Sequence, residues 1–493
     1  MWELYTEGNP LERGLANGIL TQELTYNQEK IFTDKIKEFI PSPFYQKILK
    51  KFVLFFNREL YKNVPEEYLI ELYGMSKYAS EDFNFIAKPY WRMLYFHAAH
   101  DIGHSLQDLA LVGCTSFAAW GDKTADGKLL IGRNFDFYVN DSFNKNKVIA
   151  FVSPDRGYKY AMVTWPGMIG AVSGMNMKGL TVTINAGKSG IPFKAKTPIS
   201  FVTKEILQYA KNIEEAIQIA KNREVFVAES ILVGSSEDNR AVTIEVSPNK
   251  FGVYETDNTD FLICANHFQS NEYKEDKRNR KQIAESHSMY RFNKMKELLT
   301  SAPLLTPSAG AEILRNKQGL NELPLGMGNE KAINQLLSHH GILFQPDKKI
   351  LWVSANPYQL GEFVAYDLNK VFSTFPLQKE ISNLSETDLN IAEDPFLYSL
   401  PYSQYEEYRI QSRHLITKFN KNRTVSNEYL NSYLSLNPEY WESYFNVAEY
   451  YFRHKNFSKA LFYYNLALTK EISTIPAQTK IKDRILKCEK KLH

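Results

Sequence analysis

The first change of hydrophobic period in this chain falls on a cysteine. Upstream of Cys114 the apolar residues recur at helical spacing: Ile31, Phe32, Ile36, Phe39 and Ile40, then Ile48, Leu49, Phe52, Val53 and Phe56, with Pro41 and Pro43 between them. A third helix is predicted over residues 65–77, where Pro65 occupies an allowed first-turn position and carboxylates follow it. From Cys114 onward the period falls to two. Residues 115–120 form a short apolar run, Thr124-Ala125-Asp126-Gly127 supplies a turn, and residues 129–136 resume a strand, which predicts a hairpin. A helical period that gives way to a period of two predicts a helical front piece leading into strands.

The pattern beyond the hairpin predicts strands at 160–165, 170–173 and 180–185, then two helices at 201–210 and 213–221. Strands return at 230–233, 241–246, 252–255 and 261–264, a helix follows at 289–299, and strands at 341–344, 350–353 and 362–366 close the series. Strands, a helix pair and strands again predict an α+β fold with helices packed on antiparallel sheets. Residues 378–394, rich in Ser, Asn, Asp and Glu, mark a linker, and everything after them is helical. Tyr444, Val447, Ala448 and Tyr451, followed by Ala460, Tyr464 and Ala467, have the spacing of a tetratricopeptide (TPR) helix pair, or of a plain helical hairpin. One repeat cannot bury its own face, so the tail is expected to pack on the main domain, on a protein partner or on a second copy. The expected division is 1–113 front segment, 114–376 catalytic domain, 377–394 linker and 395–493 helical tail.

Composition narrows the partners. Lys plus Arg number 59 against 56 Asp plus Glu, so no basic excess points to nucleic acid or a membrane surface. No run approaches the roughly 20 apolar residues of a membrane helix; the most apolar candidate, residues 52–56, is flanked by Lys50, Lys51 and Arg58. The start, Met1-Trp2-Glu3-Leu4-Tyr5, has no basic n-region or apolar core, so the chain as written is expected in the cytoplasm, or in the periplasm or outside the cell if its start lies upstream. The three cysteines, Cys114, Cys264 and Cys488, are too few and too scattered for a disulfide framework or a CxxC metal site.

Cys114 follows Gly113 at the junction of the two periods. Gly132-Arg133-Asn134-Phe135-Asp136 closes the hairpin that Cys114 opens, and since Arg133 and Asp136 differ in parity, a bulge or the strand end must bring them together. Asn176-Met177-Lys178-Gly179-Leu180 leads to Ile184-Asn185-Ala186-Gly187; then come Cys264-Ala265-Asn266-His267-Phe268 and Ser288-Met289-Tyr290-Arg291-Phe292. In this order the motifs resemble those of the cysteine N-terminal-nucleophile (Ntn) hydrolases, specifically peptidase family C45, the acyl-coenzyme A:6-aminopenicillanic acid acyltransferase-like group. Bile salt (choloylglycine) hydrolases and acid ceramidase are its more distant relatives.

The resemblance spans residues 2–366 and implies a four-layer αββα sandwich. It also implies self-cleavage between Gly113 and Cys114, leaving a front chain of 113 residues and a catalytic chain of 380. Cys114 would then be both nucleophile and, through its freed α-amine of pKa about 7.7–8.0, its own base. Arg133 would favour the thiolate, Asp136 would orient the α-ammonium, Asn185 and Asn266 would donate to the oxyanion and the terminal amine, and Arg291 would stand near the nucleophile. Singly, each also fits a structural role: an ion pair for Arg133 and Asp136, a turn for Asn185, a strand-end cap for Asn266, a solvated helix charge for Arg291.

The expected activity is attack on a linear amide of a small N-acyl substrate with no cofactor and no metal. An acyl-coenzyme A-dependent N-acyltransferase, and an unprocessed scaffold that binds a partner through its tail, are the alternatives. His97, His100 and His104, with Asp101 and Asp108, line one helical face and fit either a zinc site or satisfied core and surface histidines. His339-His340 is expected to be structural. Gly132 and Gly187 belong to no phosphate loop, and His267 beside Asn266 would suit a papain-like pair only if Cys114 began a helix.

Overall fold

The computed structural model describes the chain apart from residues 107–112, 139, 191, 193, 375–382 and 493 and the side chains of residues 99, 100 and 102–106. The front segment begins with strand β1 (Trp2–Gly8) and continues with helices α1 (Pro10–Leu20), α2 (Gln22–Phe39), α3 (Pro43–Phe56), α4 (Glu66–Ser76) and α5 (Pro89–Leu106). Asn9 starts α1 with a full capping box: its side chain takes the Leu11 and Glu12 amides while Glu12 takes the Asn9 amide. As the sequence predicts, Pro41 and Pro43 separate α2 from α3, and α4 falls within residues 65–77.

Two sheets follow. β2 (Thr115–Ala119) and β3 (Leu130–Phe135) form the expected hairpin, Ser116 opposite Arg133. After α6 (Asp141–Lys145), the strands β4 (Val148–Pro154), β5 (Tyr160–Thr164), β6 (Ser173–Asn176) and β7 (Leu180–Ala186) run to α7 (Ile199–Tyr209) and α8 (Ile213–Lys221). Then come β8 (Glu229–Ser235), β9 (Arg240–Ser247), β10 (Lys250–Tyr254), β11 (Phe261–Cys264), α9 (Lys277–Glu285), α10 (Ser288–Ser301), α11 (Pro307–Arg315), β12 (His340–Gln345), β13 (Ile350–Ser354), β14 (Phe363–Asp367) and α12 (Leu368–Thr374). The larger sheet has the order β1-β4-β5-β6-β7-β8-β9-β10 and the smaller β11-β2-β3-β12-β13-β14.

Alternate residues on each strand reveal the layers. Ala118 and Ile131 of the smaller sheet meet Ile149, Phe151, Met175 and Leu232 of the larger in one core between the sheets. Phe117, Ala119 and Leu130 point the other way, onto Met295 and Leu299 of α10 and Leu314 of α11. On the far face of the larger sheet, Val148, Val182, Ile184 and Ile231 pack on Val202 and Ile206 of α7 and Ala216 of α8. Both faces of both sheets are therefore covered, which is why the strands read as apolar runs more than as clean alternations.

The front segment is built into this core. β1 pairs in parallel with β4 over seven residues, making it the edge of the larger sheet. Arg13 of α1 and Lys204 of α7, both fully buried, converge on Glu71 of α4 at 3.2 and 2.8 Å. Breaking a buried pair by removing one partner typically costs about 3–5 kcal/mol, so these contacts fasten the segment firmly. If the chain is cut after residue 113, the two pieces are expected to co-elute on gel filtration and to separate only in denaturant. Separation in native buffer would show that the segment dissociates.

The tail comprises α13 (Leu400–Asn420), α14 (Asn427–Leu436), α15 (Trp441–Arg453), α16 (Phe457–Leu468) and α17 (Ile475–Leu492), α15 and α16 forming the predicted helix pair. It packs on the main domain. Asn437 exchanges two hydrogen bonds with Met327 (3.0 and 2.8 Å), Asn329 donates to the Glu471 carbonyl (2.9 Å), and Arg409 reaches Tyr138 (3.1 Å) and Asp141. Gly326, at φ +78°, lies so near Tyr440 that a Cβ would come within 2.4 Å of its amide nitrogen, so only glycine permits this approach. Of the expected linker, residues 383–394 lie against the domain: Ile391 bridges to Phe363 and Leu389 accepts the Trp352 indole N–H at 2.8 Å. Among the described residues, no helix is long and apolar enough to cross a membrane.

Candidate active site

Strand parity sets the site between the sheets. Cys114 continues the inward row of Ser116 and Ala118, and Arg133 shares the inner face of β3 with Ile131, so thiol and guanidinium point into the same space. Asp136 stands one residue past the end of β3, so the strand end supplies the change of face that the sequence requires. Asn185 belongs to the inward row of β7, Asn266 follows β11, and Arg291 lies in the first turn of α10. Cys114, Arg133, Asp136 and Arg291 have no exposed surface, and Asn185 and Asn266 have almost none.

Arg133 spans the two sheets. One Nη lies 3.8 Å from the Cys114 Sγ and donates to the Ile184 carbonyl; the other donates to Ser173 Oγ (2.8 Å) and the Val172 carbonyl (3.3 Å). Ser173 in turn meets His340 Nε2 at 3.0 Å. No ion pair joins Arg133 to Asp136; the guanidinium is committed to the thiol and the opposite sheet. Arg291 donates to the Cys114 carbonyl (2.7 Å), to Thr115 Oγ1 and to Asn266 Oδ1 (2.7 Å), while His287 Nδ1 accepts from it at 3.2 Å. It is no solvated helix charge.

The asparagines are held by the main chain. Asn185 Nδ2 donates to the Cys264 carbonyl at 2.9 Å and its Oδ1 accepts from Ser116 at 3.0 Å; Asn266 Nδ2 donates to the Ala186 carbonyl at 2.9 Å. Asp136 Oδ1 accepts from Ser338, itself fixed by Gln359 Nε2 at 2.7 Å, and Asp136 Oδ2 has no partner among the described residues. Gln335 Nε2 donates to the Gly113 carbonyl at 3.0 Å.

Burial dominates the protonation of these groups. It pushes the Cys114 thiol up to about 11, against the pull of Arg133 and of a hydrogen bond from the Asp136 main chain. It lifts the Asp136 carboxyl to about 7, partly offset by Ser338, Arg291 and Arg133, and lowers Arg291 to about 10. In the continuous chain the thiol is therefore held in its protonated form at pH 7. A carboxyl beside it that titrates near neutrality is placed to share its proton.

The remaining sequence candidates separate clearly. Cys264 and Cys488 are buried with thiols pushed up by burial, as suits inert side chains. His97 is a core histidine: Nδ1 meets the Met93 carbonyl (2.8 Å), Nε2 accepts the Ile169 amide (2.9 Å), the ring stacks on Phe201 and burial lowers it to about 4. Asp101 accepts the Ile199 amide at 2.8 Å where α7 begins. The side chains of His100, His104 and Asp108 lie outside the described residues, among which no group of three possible metal ligands occurs. His267 pairs with Ser288 Oγ at 2.8 Å, and Cys114 leads into a strand, so the papain-like arrangement is absent from these residues. Gln335, Ser338, Gln359, Ser173 and His287 are the site residues that sequence reasoning misses; the only nearby signal is His339-His340, whose place at the start of β12 fixes the preceding loop.

Residues 123–354 match the family described as acyl-coenzyme A:6-aminopenicillanic acid acyl-transferase. This segment is a domain of that family, and it holds Arg133, Asp136, Asn185, Asn266 and Arg291; Cys114 lies just ahead of it. An uncharacterized protein of Archaeoglobus fulgidus is 26% identical over 271 residues, 51% of this chain and 44% of its own. Protein dcd1B of Dictyostelium discoideum is 26% identical over 278 residues, 52% of each chain. The N-acylethanolamine-hydrolyzing acid amidase of Caenorhabditis elegans is 23% identical over 252 residues, 49% of this chain and 66% of that one. The chain thus spans about half the length of the first curated relatives it matches. Among solved structures, a C. elegans N-acylethanolamine-hydrolyzing acid amidase ortholog aligns with a TM-score of 0.35 at 19% identity, covering 48% of this chain and 93% of that one. Penicillin V acylase from Agrobacterium tumefaciens gives 0.36 at 15% identity, covering 52% and 87%.

Proposed function

We propose that the chain is a self-processing cysteine Ntn hydrolase of the αββα type that cuts a linear amide of an N-acyl substrate through a thioester on Cys114. The observation that carries this is the pair of buried guanidinium groups around one cysteine, Arg133 on its sulfur and Arg291 on its carbonyl. Two cations in a dry site favour a thiolate and an oxyanion far more than they would in water.

Cys114 Sγ first attacks the Gly113 carbonyl, and water releases the front chain. The freed α-amine then serves as base near neutral pH, with Asp136 orienting its ammonium form and Arg291 holding the Cys114 carbonyl so that the amine stays beside its own sulfur. The substrate acyl group passes to sulfur, the amine product takes the proton, and water hydrolyses the thioester. Asn185 and Asn266 serve the substrate oxyanion and the terminal amine, and losing an oxyanion donor costs about 3–4 kcal/mol of transition-state stabilisation. The acid amidase among the relatives agrees with attack on an amide, and the family description agrees with acyl transfer. The helical tail is read as a single TPR-like unit.

Intact mass tests this. The wild-type chain is expected to appear as two species, and Cys114→Ala as a single one of 57.0 kDa without amidase activity. A single species in both would sink self-processing and favour an unprocessed scaffold. Because the family description names a transferase, the second reading is acyl-coenzyme A-dependent N-acyl transfer. Release of free acid without an added amine would exclude an obligate transferase.

A further inference from the structure

We infer that Gln335 is the oxyanion donor for the chain's own cleavage, a catalytic residue distinct from the asparagines assigned to the amide substrate. This role rests on the cleavage between Gly113 and Cys114 proposed above.

Five observations converge on it. Gln335 Nε2 donates to the scissile Gly113 carbonyl at 3.0 Å, and the residue is 2% exposed. Among the described residues no other side chain donates to that oxygen. The loop that carries Gln335 is held on both sides, by Asn134 Nδ2 on the Ile333 carbonyl (3.0 Å) and by Asn334 Oδ1 on the Leu336 amide (3.0 Å). Leu336 sits at φ +53°, a conformation that leucine rarely adopts and that the loop imposes beside the donor. Finally, a Cβ on Gly113 would lie 2.1 Å from Gln335 Nε2. Glycine before the cleaved bond thus leaves room for the donor.

The chemistry balances on these groups. As the Sγ–C bond forms, the carbonyl π pair moves onto the Gly113 oxygen, where the Gln335 N–H meets it, and the thiol proton passes to Asp136. Collapse breaks the C–N bond as the Cys114 nitrogen takes that proton, giving a thioester and a free amine. Water then adds to the same carbon, its electron pair again moves to the same oxygen, and the C–S bond breaks as sulfur regains a proton. One water is consumed, and the products are a carboxylic acid and an amine.

The test is the rate at which full-length chain divides, followed by intact mass in wild type, Gln335→Met, Gly113→Ala, Gly113→Ala with Gln335→Met, and Cys114→Ala. Methionine fills the space without a donor, and thermal unfolding checks that each variant is folded. Gln335→Met is expected to slow cleavage about 10²–10³-fold. Gly113→Ala, which pushes the donor away, should slow it strongly when Gln335 is present and little when it is absent, a non-additivity that a purely structural role would not produce. Should Gln335→Met misfold, Gln335→Leu removes the donor with a smaller apolar side chain and is expected to be slow as well. Cleavage of a folded Gln335 variant within threefold of wild type would overturn the assignment alone, as would additive effects of the two substitutions. A wild-type chain that never divides would overturn the cleavage itself and the role of Gln335 with it.

Discussion

Asp136→Asn is expected to slow self-cleavage by about 10³-fold while making the folded chain more resistant to denaturant above neutral pH. The two effects have one cause. Asp136 is fully buried, burial lifts its carboxyl to about 7, and its second oxygen has no partner among the described residues. In the unfolded chain the same group titrates near 3.9. Between these values the folded state keeps a proton that the unfolded state has released, so stability falls as pH rises from about 4 to about 7. The contribution is complete below about pH 4 and gone above the folded value. Asparagine has no such loss, so the variant should be the more stable by a few kcal/mol at pH 8 and about equal to wild type at pH 4. Denaturant midpoints across that range, with both chains in the Cys114→Ala background so that cleavage does not intervene, measure the difference. A gap that shrinks with rising pH would contradict the assignment of Asp136 as a neutral-range carboxyl.

Arg291→Met is the substitution with the largest expected cost to the fold and the site together. It leaves the Cys114 carbonyl, Thr115 Oγ1 and Asn266 Oδ1 without their donor in a place that water does not reach. Removing a buried cation of this kind typically costs about 3–5 kcal/mol. Activity should fall by at least about 10²-fold, because the main chain of the proposed nucleophile loses its anchor. Arg291 also helps to hold the Asp136 carboxyl down, so its loss should move the pH dependence of cleavage to higher pH. Arg291→Lys keeps the charge and should not move that limb, although one ammonium cannot bond all of the fork's partners. Midpoints of unfolding and cleavage rates against pH separate the two contributions.

The α+β character is legible in the sequence, because stretches of strand period and of helical period succeed one another, whereas the stacking of the layers is implied by the resemblance alone. Ser116 and Ala118 on one strand, with Cys114 one residue ahead of it, and Ile131 and Arg133 on the next can be assigned to one face by counting alone. β4 escapes notice: its Val-Ile-Ala-Phe-Val run is buried on both faces and has no polar partner row to set its period. α11 carries a visible start signal, the Thr306 cap before Pro307, which a search for hydrophobic period passes over. The site divides in the same way. Residues inside short motifs could be named, whereas Gln335 meets Gly113 across 222 positions of sequence and Ser338 meets Asp136 across 202. Such contacts are made by the fold and leave no local pattern.

The parallel pairing of β1 with β4 changes what it means for this molecule to unfold. Before cleavage the edge strand and the sheet it completes are tethered, and their pairing is unimolecular. After a cut at Cys114 the same strand would belong to another polypeptide, and recovering it would become a second-order encounter whose yield falls with dilution. The mature two-chain form would then persist because it unfolds slowly, not because it can find its way back. Its lifetime, more than its equilibrium stability, would set how long each molecule works.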